Sequence, residues 1–161
     1  MRSLSVGDRL SRVSRPAPEQ FLDRLGEITR SLRLLAAQAY ASFDVGSTQA
    51  KFLRYLGQHQ PLSQAELARA TVTDPTLTGR VVETLIERGW VERAVSATDR
   101  RQYVLSLTAA GQRLRKRVEA ARREVAERVV RGLDGKDLSD FARIEQKLKA
   151  ALAKEVLESA G

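Results

Sequence analysis

Between Pro18 and Phe43, apolar residues recur at steps of three and four. Phe21, Leu25, Ile28, Leu32, Leu35 and Ala39 therefore fall on one face of a long helix. Asp44, Val45 and Gly46 break that pattern, and a shorter helix from Ser47 to Gln58 turns Phe52, Leu53 and Leu56 inward before Pro61 closes it. A third helix has an explicit start. Ser63 is followed three residues later by Glu66, the spacing of a capping box, while Leu62 and Leu67 occupy the positions of a hydrophobic staple. Thr73, Asp74 and Pro75 open a fourth helix, with Asp74 as cap and Pro75 at the first helical position, where its missing N–H costs nothing. This helix runs to Arg88, with Leu77, Val81, Leu85 and Val82 as its expected inward residues.

Gly89 supplies a left-handed stop. Trp90 to Val95 then reads as a strand, Ser96 to Gln102 as a polar loop, and Tyr103 to Leu107 as an alternating strand with Tyr103, Leu105 and Leu107 on one face. Thr108 caps a fifth helix, along which Leu114, Val118, Ala121, Val125 and Val129 form a narrow stripe ending at Gly132. Asp134, with Asp137 three residues on, starts a sixth, carrying Leu138, Phe141, Ile144, Leu148, Leu152 and Leu157 on one side. The fold class predicted is mainly α with a small β-hairpin. In outline it is a helix-turn-helix with a hairpin wing (residues 47–108), preceded by an N-terminal arm (1–18) and a first helix (19–46) and followed by C-terminal helices (109–161). The faces marked by Phe21, Leu25 and Ile28 and by Phe141, Ile144, Leu148 and Leu152 exceed what a small winged helix can cover, which predicts a dimerisation domain pairing two copies of the chain.

Composition narrows the function. The 161 residues suit one domain, and 28 Lys and Arg against 20 Asp and Glu leave a formal charge of +8, favouring a polyanionic partner. That charge alone does not separate DNA from RNA or a membrane surface. The surplus concentrates between Gln112 and Arg131, with eight basic residues against three acidic ones. The absence of cysteine excludes disulfides, thiolate metal sites and thiol-based sensing. No apolar run reaches the roughly 18 residues of a membrane span, and the Arg-rich start (Arg2, Arg9, Arg12, Arg15) lacks a signal peptide's apolar stretch, so a cytoplasmic location without membrane contact is expected. The arm itself, with Pro16 and Pro18, fits either a disordered terminus or an extra DNA contact. The single histidine, His59, lies in a helix-to-helix turn, and no catalytic triad, metal set or phosphate loop can be assembled around it. Neither an enzyme nor a metal or other cofactor is expected.

Two short helices joined by a tight turn and followed by a hairpin form a unit whose second helix can enter a DNA major groove while the hairpin reaches beside it. On the fourth helix Thr76, Thr78, Gly79 and Arg80 are the candidate readers. Threonine can bond a base and meet a thymine methyl, glycine permits close approach, and Arg80 can bond a guanine or a phosphate. An ordinary solvated helix face is the alternative. In the loop, Asp99 can orient one of Arg100 and Arg101 by a bidentate pair while the other enters a narrow minor groove, or all three belong to a solvated turn. Lys51, Ser63 and Gln64 stand near helix starts, where their groups suit phosphates.

The segments HQPLSQAELARA, DPTLTGRVVETLIERGWVER and SATDRRQYVLSLTAAG, in this order and spacing, resemble the multiple-antibiotic-resistance regulator (MarR) family of bacterial winged-helix repressors and activators. The resemblance extends in order over nearly the whole chain from Phe21. It implies a recognition helix at residues 74–88, a wing signature at Asp99 and Arg101, and a junction at Leu107, Thr108 and Gly111. It further implies a homodimer on double-stranded DNA, nucleoid-associated when bound, whose operator is pseudo-palindromic. A small aromatic or anionic effector is implied between the dimerisation helices and the winged helix. Tyr40, Phe43 and Lys51 lie near that junction by chain order, as an effector site or as core aromatics beside a phosphate-binding lysine. The chain departs from the pattern at Ala50, where many members carry an aromatic residue, and lacks the reactive cysteine of the family's peroxide sensors.

Overall fold

The computed structural model describes residues 17–159, with side chains as far as Glu155. The arm expected over residues 1–18 lies outside the described residues but for its last two, which lead into the first helix. In chain order the elements are α1 (Pro18–Ala41), α2 (Ser47–His59), α3 (Gln64–Ala70), α4 (Pro75–Glu87), β1 (Val91–Val95), β2 (Tyr103–Leu107), α5 (Ala109–Val130) and α6 (Gly135–Ser159).

Local chemistry fixes the helix starts. At α3 the Ser63 hydroxyl accepts from Glu66 N–H (3.2 Å) while the Glu66 carboxylate accepts from Ser63 N–H (2.7 Å), so each satisfies a donor the helix leaves free. Those bonds, backbone first, hold the Glu66 carboxyl below its ordinary range. Asp74 caps α4 by accepting from Leu77 N–H at 2.9 Å, and Thr108 caps α5 by accepting from Gly111 N–H at 3.0 Å. Asp134 and Asp137 form a reciprocal pair at the start of α6, each carboxylate accepting the other's N–H, at 2.8 and 3.0 Å.

The core gathers around α2, which packs against α1, α5 and β2. Phe52, Leu53, Leu56, Leu67, Val82, Leu85, Leu105 and Val118 are fully enclosed. β1 and β2 pair antiparallel, with Val91 opposite Leu107, Arg93 opposite Leu105 and Val95 opposite Tyr103. Leu62 bridges to Leu105 beyond the hairpin, and Gln60 Oε1 accepts from Leu107 N–H at 2.7 Å, so the far edge of β2 is tied to the end of α2. Helix α4 turns Val82 and Leu85 inward and packs Val81 on the core as expected, but its first turn departs from the expectation. Thr78, Val82 and Leu85 are buried, while Leu77 is exposed. Thr78 tolerates this because its hydroxyl donates to Asp74 O at 2.9 Å.

Two helices carry large uncovered faces. On α1, Phe21, Leu25, Ile28 and Leu32 are exposed, and only its last turns, ending at Tyr40, join the core. On α6, Leu138, Phe141, Ile144 and Leu152 are exposed, Leu148 is half-buried, and the side chain of Leu157 lies outside the described residues. Among the described residues α6 scarcely touches the rest of its own chain.

The turn between α3 and α4 is strained at Val72, which holds φ at 48° with its side chain almost wholly in solvent. A β-branched residue gains nothing there to offset a left-handed conformation costing about 1–2 kcal/mol. Val72→Gly removes that cost but loosens the unfolded chain, an opposing term of up to ~1 kcal/mol. A net gain of about 0.5–1 kcal/mol is expected, seen as a higher urea midpoint at unchanged slope. A lower midpoint would show the turn to be relaxed as it stands.

Candidate nucleic-acid interface

The α3–α4 turn is held from behind by α2. Lys51 Nζ donates to Thr71 O (2.9 Å) and to Thr73 Oγ1 (2.8 Å), and Thr71 Oγ1 in turn lies 2.9 Å from Thr73 Oγ1. The sequence pointed Lys51 at a phosphate or an effector. In the structure its ammonium bonds the chain's own turn and ties α2 to the link between α3 and α4.

On α4 the first turns expose Thr76, Leu77 and Arg80. Thr78, expected beside them, faces the core, because four residues separate it from Val82 on the same inward row. Gly79 is half-buried, and its missing side chain makes room for α3 as much as for a base. A Cβ there would come within 3.3 Å of Gln64 Nε2. Gln64 and Ser63 thus sit alongside the start of α4, with Ser63 Oγ already engaged by Glu66 at 2.7 Å. The exposed face narrows to Thr76 and Arg80, with Leu77 between them.

In the wing loop, Asp99 does not pair with an arginine. Its carboxylate accepts from the backbone N–H of Arg101 (2.9 Å) and from Gln102 Nε2 (3.0 Å), an Asx-type turn that shapes the loop. Ser96 N–H closes the base of the loop on Gln102 O at 2.8 Å. Arg100 and Arg101 are both exposed, and neither guanidinium has an ion-pair partner among the described residues. The loop presents two exposed guanidinium groups, the chemistry that suits phosphates or a narrow minor groove.

The three candidate effector residues are not brought together. Tyr40 is buried in the core, Phe43 lies half-buried under Arg117, whose guanidinium is 4.4 Å from the ring centre, and Lys51 faces the α3–α4 turn. Phe43 and Arg117 instead line a groove of about 330 Å³ between the end of α1 and the middle of α5, with Ser42 and Arg128 at its sides. His59 ends α2 in solvent, stacked on Tyr55 with ring centres 4.3 Å apart. Among the described residues no cluster of His, Asp and Glu can hold a metal ion, and no helix is long and apolar enough to cross a membrane.

Several residues that position this surface carry no local sequence signal. Arg93 reaches from β1 to Glu83 of α4, and Arg88 binds both the backbone oxygen and the carboxylate of Asp44. Arg115 lies over Gly57, where a Cβ would overlap its side chain, and pairs with Glu119 at 2.7 Å. These contacts span many residues of chain and are set by the fold alone. Only the i,i+4 pair of Arg115 and Glu119 is legible as spacing.

A model described as the MarR family matches residues 43–102, the span from the end of α1 to the wing loop. The HTH-type transcriptional repressor Rv2887 of Mycobacterium tuberculosis is 38% identical over 96 residues, covering 60% of this chain and 69% of that protein. Among solved structures, the MepR–DNA complex of S. aureus superposes with a TM-score of 0.71 at 23% identity, over 82% of this chain and 96% of that one. The apo form of wild-type MarR from E. coli gives the same TM-score, 0.71, at 18% identity, over 82% and 97% of the two chains.

Proposed function

The chain belongs to the MarR family of transcriptional regulators, and from that premise we propose that it is a ligand-responsive repressor that binds a pseudo-palindromic operator as a homodimer. One observation carries the DNA-binding part. The exposed start of α4, with Thr76 and Arg80, is joined to a wing whose Arg100 and Arg101 guanidinium groups have no ion-pair partner among the described residues. In this reading α4 lies in the major groove, Arg80 bonds a base edge, the wing arginines enter or flank the adjacent minor groove, and Ser63 and Gln64 at the start of α3 meet phosphate. Residues 47–108 form the DNA-binding unit, and α1, α5 and α6 form the dimerisation unit. Half-sites then lie about one helical turn apart, roughly 10 base pairs centre to centre. The name of the mycobacterial relative supports repression.

For the effector, the groove of Phe43 and Arg117 replaces the site expected from chain order. A ring stacked under a guanidinium, with Arg128 nearby, suits a small aromatic anion, and the groove lies where α1 meets α5. A ligand wedged there changes the angle between dimer helices and winged helix, and so the spacing of the two recognition helices.

Selection of bound fragments from the source genome, followed by titration at fixed salt, tests the reading. One fragment is expected to bind at least about a thousandfold tighter than random duplex; a ratio near one would mark a nonspecific coating protein instead. Within a bound operator, Arg80→Ala should cost about 1–3 kcal/mol on the preferred sequence and relax discrimination at one base pair. An equal loss on every sequence would reassign Arg80 to phosphate.

A further inference from the structure

The wing's outermost residue pair is apolar and uncovered. Antiparallel partners share a face, so Val91, Arg93 and Val95 of β1 point the same way as Leu107, Leu105 and Tyr103 of β2. Val91, Leu105 and Leu107 on that face are buried, but Val95 is 53% and Tyr103 60% exposed. The face therefore runs past the edge of the domain and carries its apolar character with it. Arg93 bonds Glu83 on α4, so this face looks toward the recognition helix. β1 runs back along α4 after the turn at Gly89. Outward from the Arg93–Glu83 bond, the same face continues to Val95 and Tyr103, which border the gap between the end of the hairpin and α4.

If α4 occupies a major groove and the wing the neighbouring minor groove, the sugar–phosphate strand between those grooves runs through this gap. We propose that Val95 and Tyr103 form a seat for that strand: their apolar faces cover deoxyribose, and the Tyr103 hydroxyl donates a hydrogen bond to one phosphate in each half-site. The inference rests on the DNA-binding reading above and adds to it a contact made by an uncharged residue. Charge supports DNA as the occupant, because Arg100 and Arg101 flank the pair and neither guanidinium has an ion-pair partner among the described residues. Tyrosine suits the position, since its ring packs on sugar while its hydroxyl reaches an acceptor.

A phosphate contact without charge has a distinctive signature. Tyr103→Phe is expected to weaken binding about fivefold and Tyr103→Ala about thirtyfold, by the same factor on operator and on random duplex. The salt slope stays that of the wild type, because no counterion is exchanged. Arg101→Ala, by contrast, should flatten the slope by about one. A single methylphosphonate at the contacted phosphate should cost the wild type more than it costs Tyr103→Phe, and the difference should match the factor lost on Tyr103→Phe itself. The side chain is exposed, so an unchanged thermal midpoint in both variants checks that folding is intact.

Tyr103→Ala binding as tightly as wild type, or a methylphosphonate scan identical for wild type and Tyr103→Phe, would overturn the assignment. A wild type that prefers no sequence would sink the operator reading alone. The seat is then judged on random duplex, where the same factors are expected.

Discussion

Gly111→Ala is expected to lower the free energy of unfolding by about 3 kcal/mol, the upper end of the usual range for overpacking. By helix propensity alone the substitution should stabilise, because Gly111 lies in the first turn of α5 and alanine is favoured in a helix by about 1 kcal/mol. Packing reverses the sign. A Cβ on Gly111 would stand 1.9 Å from Trp90 O and 2.9 Å from Trp90 C, both backbone atoms with no rotamer to change. Nor can the two segments drift apart cheaply. Thr108 N–H donates to Trp90 O at 3.1 Å, the Thr108 hydroxyl donates to Gly89 O at 2.6 Å, and that same hydroxyl caps Gly111. The close approach joins the end of α4, the root of the wing and the start of α5 in one knot. The substitution should therefore also shift the wing against α4 and weaken DNA binding in the fraction still folded. Urea unfolding monitored by Trp90 fluorescence reads the first effect, and a midpoint equal to or above that of wild type would show that the junction yields to a methyl group at little cost.

What the sequence disclosed and what it hid divide along a physical line. Caps were legible because they are local. Ser63 with Glu66, Asp74 with Pro75, Thr108, and Asp134 with Asp137 each act across three residues, and the structure closes the bonds their spacing implies. The first turn of α4 was misread, though Val82 and Leu85 were not, because Thr78 hides its hydroxyl in a bond to Asp74 O, so a polar letter sits in the apolar row while Leu77 is left outside. Lys51 gave no sign of its role, since its partners are 20 and 22 residues away in a turn whose position depends on the packing of α3. Asp99 was placed correctly as part of the wing loop, yet its carboxylate serves backbone and amide donors there and no guanidinium. Tyr103 shares the face of Leu105 and Leu107 as alternation requires. Its exposure follows from the length of the hairpin relative to the body beneath it, which no pattern of letters records.

For the dimer proposed above, Phe141→Glu on the exposed face of α6 is expected to convert it into a monomer and to lower operator affinity at least about a hundredfold. Phe141 is 65% exposed, and on α1 Leu22 and Ile28 are 66% and 58% exposed, so neither helix covers the other within one chain. Residues of this size regain about 1.5–3 kcal/mol each when a partner buries them. In a twofold dimer each substitution removes that contribution twice and forces a carboxylate against apolar surface, so the loss is about 3–6 kcal/mol, or roughly 10²–10⁴ in the dimer dissociation constant. Operator binding follows, because a monomer engages a single half-site and forfeits the effective concentration that a linked second half provides. The loss should vanish on a duplex carrying one half-site, where wild type and variant each use a single winged helix. Sedimentation at micromolar protein separates the possibilities. A wild type that runs as a monomer, or a Phe141→Glu variant that stays dimeric, would remove α6 from the interface, and both proteins would then bind the full operator with equal affinity.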